Sequence, residues 1–285
     1  LPPERKASKK KNSIVQMIHV DQMGRSLELP ESDSLRIVSL VPSQTELLFD
    51  LGLGDQVVGL TRFCIHPEHA RKKTVRVGGT KTVNLDRVHA LHPDLIIANK
   101  EENEHDQIQA LAEHYPIWIS DIKKPEDDLD MILSIGKMCK KEAEALSMVS
   151  VKRRVYATSK SMFSSLPKRR VLYLIWKDPY MAAAEDTYIN SMLHLLGFEN
   201  ALAGMKRYPE LNHQMIMDAD PDIVFLSSEP YPFKEKHKQE LKEMLPKVNS
   251  ITLVDGEYFS WYGSRMLHLE EYSEILYLKL VKDQK

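Results

Sequence analysis

Residues 125–166 read PEDDLDMILSIGKMCKKEAEALSMVSVKRRVYATSKSMFSSL, and the periodicity of this stretch decides the fold. Pro125 suits the first turn of a helix, where the N–H it lacks would have no partner anyway. Glu126, Asp127 and Asp128 add negative charge at the end where the helix dipole favours it. Leu129, Ile132, Met138, Leu146, Val149 and Val155 then recur at helical spacing, with no proline before Pro167. The pattern predicts one long linking helix over 125–166. About 35 helical residues at a rise of 1.5 Å extend about 52 Å, farther than one compact lobe of this size has to be crossed. The helix is therefore expected to be a strut between an N-terminal lobe, 17–124, and a C-terminal lobe, 167–285. Residues 1–16, basic and without period, are expected to form a disordered leader. The competing reading is two helices with a turn near Ser147 to Ser150.

Outward from the strut, both flanks alternate buried strands with helices. Ile18–Val20, a turn at Met23-Gly24, and Ser26–Leu29 predict a hairpin at the edge of the fold. Arg36–Val41 is a strand ended by Pro42, and Ser43 opens a helix that stops at Gly52. Val57–Leu60, Leu95–Ala98 and Ile117–Ile119 are further strands, separated by helices over 84–91 and 104–114. Such continuously apolar strands imply parallel pairing in a sheet covered on both faces. Beyond the strut come the strand Val171–Trp176, the helix Tyr188–Leu196 and its stop at Gly197.

The two halves align. Gly52 and Gly59 correspond to Gly197 and Gly204 at one offset of 145, and Asn84, Pro93 and Asp94 to Asn212, Pro221 and Asp222 at one offset of 128. Agreement of several elements in order indicates an internal duplication. The expected fold class is α/β: two similar lobes with mainly parallel sheets joined by one backbone helix, and a ligand cleft between them.

Composition excludes several classes. A chain of 285 residues with 42% hydrophobic and 28% charged residues is globular, and a net charge of -2 gives no field for nucleic acid. No apolar run reaches the length of a membrane span, and no export signal is visible near the N-terminus. Cys64 and Cys139 are too few for a disulfide scaffold. No G-x-S-x-G, phosphate-binding loop or dinucleotide fingerprint is present, and Gly78-Gly79-Thr80-Lys81 reads as a turn. No catalytic residue or resident cofactor is therefore assigned. Cys64-Ile65-His66-Pro67-Glu68-His69 is the only cluster of metal-ligand types, and its spacing matches no strong zinc pattern. His66 is its best candidate, as an imidazole for cobalt or iron.

Large aromatics fall after the expected strand ends, which face the ligand in open α/β sheets. Phe63, Trp176, Tyr180, Trp261 and Tyr262 are so placed, and Tyr208 precedes Pro209. With His66 and Arg265 they form the expected ligand-binding set, suited to a large, flat, mostly apolar molecule with a polar rim.

Three motifs carry a resemblance to a known family: Arg36–Leu48, the run from Asn84-Leu85-Asp86-Arg87-Val88 to Pro93-Asp94-Leu95-Ile96-Ile97, and Gly263-Ser264-Arg265. Together with the strut they resemble the helical-backbone metal receptors, the Fe/B12 type of periplasmic substrate-binding protein, and most nearly the vitamin B12 receptors of ABC importers. The likeness spans about residues 35 to 280. It implies a monomeric binding protein, not an enzyme, that holds cobalamin or another corrinoid, haem or a ferric siderophore between its lobes for an ABC permease. It also implies that Phe63 and Tyr208 are cleft aromatics, that Trp261 stands where a pocket arginine is found, and that Asp86 and Gln214 occupy the permease-docking positions, where the family has glutamates. The resemblance places the chain in the periplasm; the absence of a visible export signal leaves a cytoplasmic corrinoid-handling or tetrapyrrole-handling enzyme, using His66 and Cys64, or a sensor, as the rival.

Overall fold

The computed structural model describes residues 18–164 and 166–282, so the expected leader and Met17 lie outside the described residues. The first half runs β1 (Ile18–Val20), β2 (Ser26–Glu28), β3 (Ile37–Ser39), α1 (Pro42–Asp50), β4 (Val57–Leu60), α2 (Ala70–Lys73), β5 (Val75–Arg76), α3 (Leu85–Leu91), β6 (Leu95–Asn99), α4 (His105–Ala112) and β7 (Ile117–Ser120). Two helices follow, α5 (Pro125–Met138) and α6 (Glu142–Phe163). The second half comprises β8 (Arg170–Trp176), β9 (Tyr180–Ala182), α7 (Tyr188–Leu195), β10 (Glu199–Asn200), β11 (Glu210–Leu211), α8 (His213–Asp218), β12 (Ile223–Ser227), α9 (Glu235–Met244), β13 (Ser250–Val254), α10 (Glu257–Ser260), a 3-10 turn (Gly263–His268) and α11 (Leu269–Lys282). Among the described residues no helix is long and apolar enough to cross a membrane.

β1 and β2 form the expected antiparallel hairpin, tied to the edge of β7 by the Gln22 N–H on the Ile119 carbonyl at 3.1 Å. The first lobe is a parallel sheet in the order β5-β4-β3-β6-β7. The second is β11-β9-β8-β12-β13, with β10 also on β8. Its core strands β8, β12 and β13 are parallel, whereas β9 and β11 form an antiparallel ribbon. Strands β3, β6 and β12 are buried along their whole length because each carries a core on both faces. Alternate residues of β12 divide accordingly, Ile223 and Phe225 to one core and Val224 and Leu226 to another. The inner core is continuous from Ile37 and Leu95, through Ile132, Val149 and Val155, to Phe225 and Phe259, so α5 and α6 join the lobes by packing as well as by chain.

The duplication is structural. Asn84 and Asn212 each cap a helix by accepting from the N–H three residues on, at 2.9 Å in both cases. Asp94 accepts from the Arg36 N–H at 2.8 Å, and Asp222 from the Arg170 N–H at 2.7 Å, tying two equivalent strands together. Gly52 and Gly197 end equivalent helices at φ 75 and 81.

The expected single helix over 125–166 is broken. Lys140 adopts φ 54, the Lys141 N–H reaches the Gly136 carbonyl at 2.7 Å, and the Lys140 N–H meets the Lys137 carbonyl at 3.5 Å. This is the doubly bonded αL stop that usually carries glycine, here built on lysine. The break lies at 139–141, not near Ser147 to Ser150. Asp128, early in α5, bonds to Lys152 and Tyr156 in α6, so the two helices fold back on each other. The strut is α6 alone, 22 residues or about 33 Å. Gly136 permits this hairpin: a Cβ there would lie 2.4 Å from the Ala145 Cβ and 3.0 Å from the Lys141 carbonyl oxygen. Gly136→Ala should therefore lower stability by about 1–3 kcal/mol despite the better helix propensity of alanine. Urea denaturation checks this; an unchanged or raised midpoint contradicts the close packing.

Candidate functional site

Strand-end loops of both lobes meet between them. From the first lobe come the loop after β4, with Phe63 and His66, and the loop after β6, with Glu101 and Glu102. From the second come Arg207 and Tyr208 ahead of β11, Glu229 after β12, and the segment 257–265 after β13.

These groups are bonded across the gap. Arg265 pairs with Glu46 of α1 at 2.8 Å and with Glu257 at 3.4 Å, and its guanidinium lies 5.5 Å from the Trp261 ring. His66 meets Trp261 edge to face at 5.6 Å, with Nε2 3.4 Å from a Glu257 carboxylate oxygen. The Trp261 indole donates to Glu229 at 2.8 Å, and the Ser260 hydroxyl donates to the same oxygen at 2.7 Å. On the opposite rim Glu101 takes Arg207 at 2.6 Å and the Tyr208 hydroxyl at 3.2 Å. The Arg207 guanidinium lies 5.5 Å from the Tyr208 ring.

The surrounding protein shifts several of the titrating groups. Burial raises the pKa of Glu229, with Glu257 and Glu102 adding to it against the hydrogen bonds from Ser260 and Trp261. Burial also raises Glu46 in spite of Arg265. The pKa of Glu102 is raised by desolvation, with Glu101 adding to it against Lys81, although its side chain is exposed. The Tyr208 and Tyr262 phenols are pushed upward by burial, so both stay neutral.

The segment 261–265 is held by a buried device. Asp128 accepts from Lys152, from the Tyr156 hydroxyl at 2.9 Å and from the Gly263 N–H at 2.7 Å, while Lys152 also donates to the Gly263 carbonyl at 2.6 Å. Both charged side chains have no exposed surface. Asp128 thus does not serve the helix dipole as the sequence suggests; it anchors the loop that carries Trp261 and Arg265.

The predicted set divides. His66, Trp261 and Arg265 come together, Tyr208 faces Glu101 across the gap, and Tyr262 lies beside Tyr188 beneath the cleft at 6.0 Å. Phe63 is 47% exposed, with the Arg62 guanidinium over its ring, 4.9 Å from the centroid. Trp176 packs on Tyr231 at 5.6 Å at the end of β8. Tyr180 is turned by β9 into the outer core of the second lobe, 6.2 Å from His213. Asp86 and Gln214 are both exposed, two residues past the equivalent Asn caps, and Gln214 donates to Asp218 at 2.7 Å. Among the described residues no group of three or more His, Cys, Asp or Glu is arranged to hold a metal ion. The Cys64 thiol is fully buried against Thr45 and Thr61, and burial pushes its pKa up, so it is neither accessible nor reactive. The carboxylates Glu46, Glu101, Glu102, Glu229 and Glu257 were missed in the sequence. Their signal was position, since Glu101 and Glu229 each stand two residues past a strand.

Two α/β lobes on one helix, with aromatic and charged groups meeting at their strand ends, define a bilobal substrate-binding protein. Residues 37–254 match the family described as periplasmic binding protein. The vitamin B12-binding protein of Yersinia pestis (strain Pestoides F) is 31% identical over 208 residues, 70% of this chain and 72% of that one. That of Vibrio vulnificus (strain CMCP6) is 26% identical over 204 residues, 71% and 74% of the two chains. Among solved structures, the periplasmic vitamin B12 binding protein BtuF of Vibrio cholerae has TM-score 0.75 at 21% identity, covering 87% of this chain and 98% of that one. The periplasmic heme binding protein HutB of Vibrio cholerae has TM-score 0.73 at 19% identity, covering 87% and 99%. The chain belongs to the periplasmic binding protein family, as a class III member related to vitamin B12-binding proteins. The family consists of binding proteins rather than enzymes.

Proposed function

We propose that the protein holds a metal chelate of the corrinoid, haem or ferric siderophore kind between its lobes and passes it unaltered to an ABC-type importer on the periplasmic side. The observation that carries this reading is the bonding of aromatic residues from each lobe to the other, Trp261 with His66 edge to face at 5.6 Å and the Tyr208 hydroxyl on Glu101 at 3.2 Å, with Phe63 exposed in the loop that carries His66. Flat apolar rings suit these aromatics, and the surrounding polar groups suit a hydrogen-bonding rim. His66 is the axial imidazole for a chelate with a free metal position, such as cobinamide or haem, and is dispensable for cobalamin, whose own base fills that position. Asp86 and Gln214 sit at matched, exposed places on the two lobes and are the permease-docking positions, where the neutral amide weakens one of the two contacts. The relatives' vitamin B12 and haem ligands and their periplasmic setting support the reading. A cytoplasmic enzyme working through Cys64 is disfavoured by the burial of that thiol.

Absorption titration of the purified protein with cobalamin, cobinamide, haem and ferric siderophores tests it. The expected result is a saturable complex with at least one chelate, which is recovered chemically unchanged. Turnover of a chelate, or no binding to any of them, overturns the proposal.

A further inference from the structure

The two rims of the cleft are bridged in different ways. On one, Lys123 of the first lobe pairs with Asp186 of the second at 3.0 Å, and Asp186 lies 4.0 Å from Arg207. Arg207 in turn pairs with Glu101 of the first lobe at 2.6 Å. Four charges thus alternate in sign and cross between the lobes twice, with the Ser191 hydroxyl adding a bond to the Lys123 carbonyl at 2.7 Å. Their side chains are 26% to 42% exposed. On the other rim Arg265 pairs with Glu46 and Glu257, and these three side chains are only 14% to 17% exposed. Backbone packing reinforces that second rim: a Cβ on Gly263 would lie 3.3 Å from the Leu47 Cβ and from the Ser43 carbonyl oxygen in α1.

The first rim also carries backbone strain. Asp186 and Arg207 take left-handed conformations, at φ 62 and 63, which residues with a Cβ seldom adopt. Local bonds hold them there. The Arg207 N–H donates to the Glu185 carbonyl at 2.7 Å, the Arg207 carbonyl accepts from the Ala184 N–H at 2.9 Å, and the guanidinium donates to the Asp186 carbonyl at 2.7 Å. Strain of this kind persists where neighbouring structure over-determines it, and it gathers at clamps and switches. Tyr208, next in the chain, donates to the Glu101 carboxylate that Arg207 also pairs with, so a cleft aromatic is held by the same contact.

We propose that Lys123, Asp186, Arg207 and Glu101 form a salt-sensitive clasp between the lobes, and that a ligand is admitted by parting this rim while the Glu46–Arg265 rim stays in place. No ligand fits between groups in direct contact, so one rim has to give. Exposed ion pairs are individually weak and screened by salt, which suits a contact that opens and recloses; the less exposed pairs beside packed backbone are screened less. The clasp depends on the two-lobed fold and not on the kind of ligand, so it stands or falls separately from the chelate reading.

Pulsed electron paramagnetic resonance on the purified protein, with no ligand added, tests it. One spin-label pair, on Ala90→Cys in α3 and Met217→Cys in α8, reports the separation of the lobes. A second, on Asp50→Cys in α1 and Glu271→Cys in α11, reports the Glu46–Arg265 side. The native Cys64 and Cys139 are buried and do not compete for label. Salt is raised from about 0.01 M to about 1 M, which shortens the screening length from about 30 Å to about 3 Å. The ratio of the short to the altered α3–α8 distance is expected to fall by about threefold to tenfold, the effect of losing two exposed ion pairs. The Lys123→Gln/Arg207→Gln variant is expected to show the same fall already at low salt and little further response. The α1–α11 distance is expected to stay constant throughout. An α3–α8 distribution that neither salt nor the double variant moves overturns the clasp. A change of both distances together overturns the one-sided opening.

Discussion

Asp128→Leu should destabilise the protein by about 3–5 kcal/mol, the cost of leaving one member of a buried ion pair without its partner. In this variant the Lys152 ammonium, with no exposed surface, keeps only the Gly263 carbonyl as acceptor, the Gly263 N–H loses its acceptor, and the Tyr156 hydroxyl is left with Tyr188 at 3.4 Å. Desolvation already pulls the Lys152 pKa downward and Asp128 opposes it, so removing the carboxylate drives the lysine towards its neutral form. The double variant Asp128→Leu/Lys152→Met should regain a large part of the loss, because a well-packed apolar pair replaces the charges at little net cost. Urea midpoints of the single and double variants decide the matter. A double variant no more stable than Asp128→Leu alone would mean that the ion pair is not what the helical hairpin and the 261–265 loop depend on.

The second large effect falls on binding. Trp261→Ala and Tyr208→Ala should each weaken the chelate complex by about 1–3 kcal/mol, the range for losing a large aromatic contact at a binding centre. Trp261 has Glu229, His66 and Arg265 around its ring, and it is only 8% exposed, so its removal also disturbs their arrangement. Tyr180→Ala provides the contrast: it empties part of the second lobe's outer core and should lower stability while leaving the affinity of the folded protein nearly intact. Calorimetry on the folded variants separates the two cases. If Tyr180→Ala lowers affinity and Trp261→Ala does not, the binding surface lies elsewhere.

Much of this architecture could be read before any coordinates. Strands such as Leu95–Asn99 and Ile223–Ser227 are buried on both faces, and their unbroken apolar runs announce it. The match of Asn84 and Asp94 with Asn212 and Asp222 was legible as a repeat, and the structure supplies its reason: the Asn pair caps helices and the Asp pair tethers strands, the same backbone problem in each lobe. The break in the linking helix was not, since Lys140 takes a left-handed position that glycine or asparagine normally marks. Nor was the antiparallel ribbon of β9 and β11, whose strands are two or three residues long and whose pairing depends on distant partners. That ribbon is what turns Tyr180 away from the cleft. Of the site, the aromatics stood out by type and by place after strands, whereas the carboxylates resembled ordinary surface charge. Only the approach of the second lobe makes Glu101, Glu102 and Glu229 parts of one site.

The central claim, that a metal chelate is held between the lobes, is tested most directly by a crystal structure of the protein with its tightest-binding chelate. The account predicts the ring between the two strand-end surfaces, in contact with Trp261 and Tyr208 and within reach of His66, Glu102 and Glu229. A chelate seated elsewhere, for instance in the surface depression of ≈ 420 Å³ lined by Lys168, Arg170, His194 and Asn200, would contradict it.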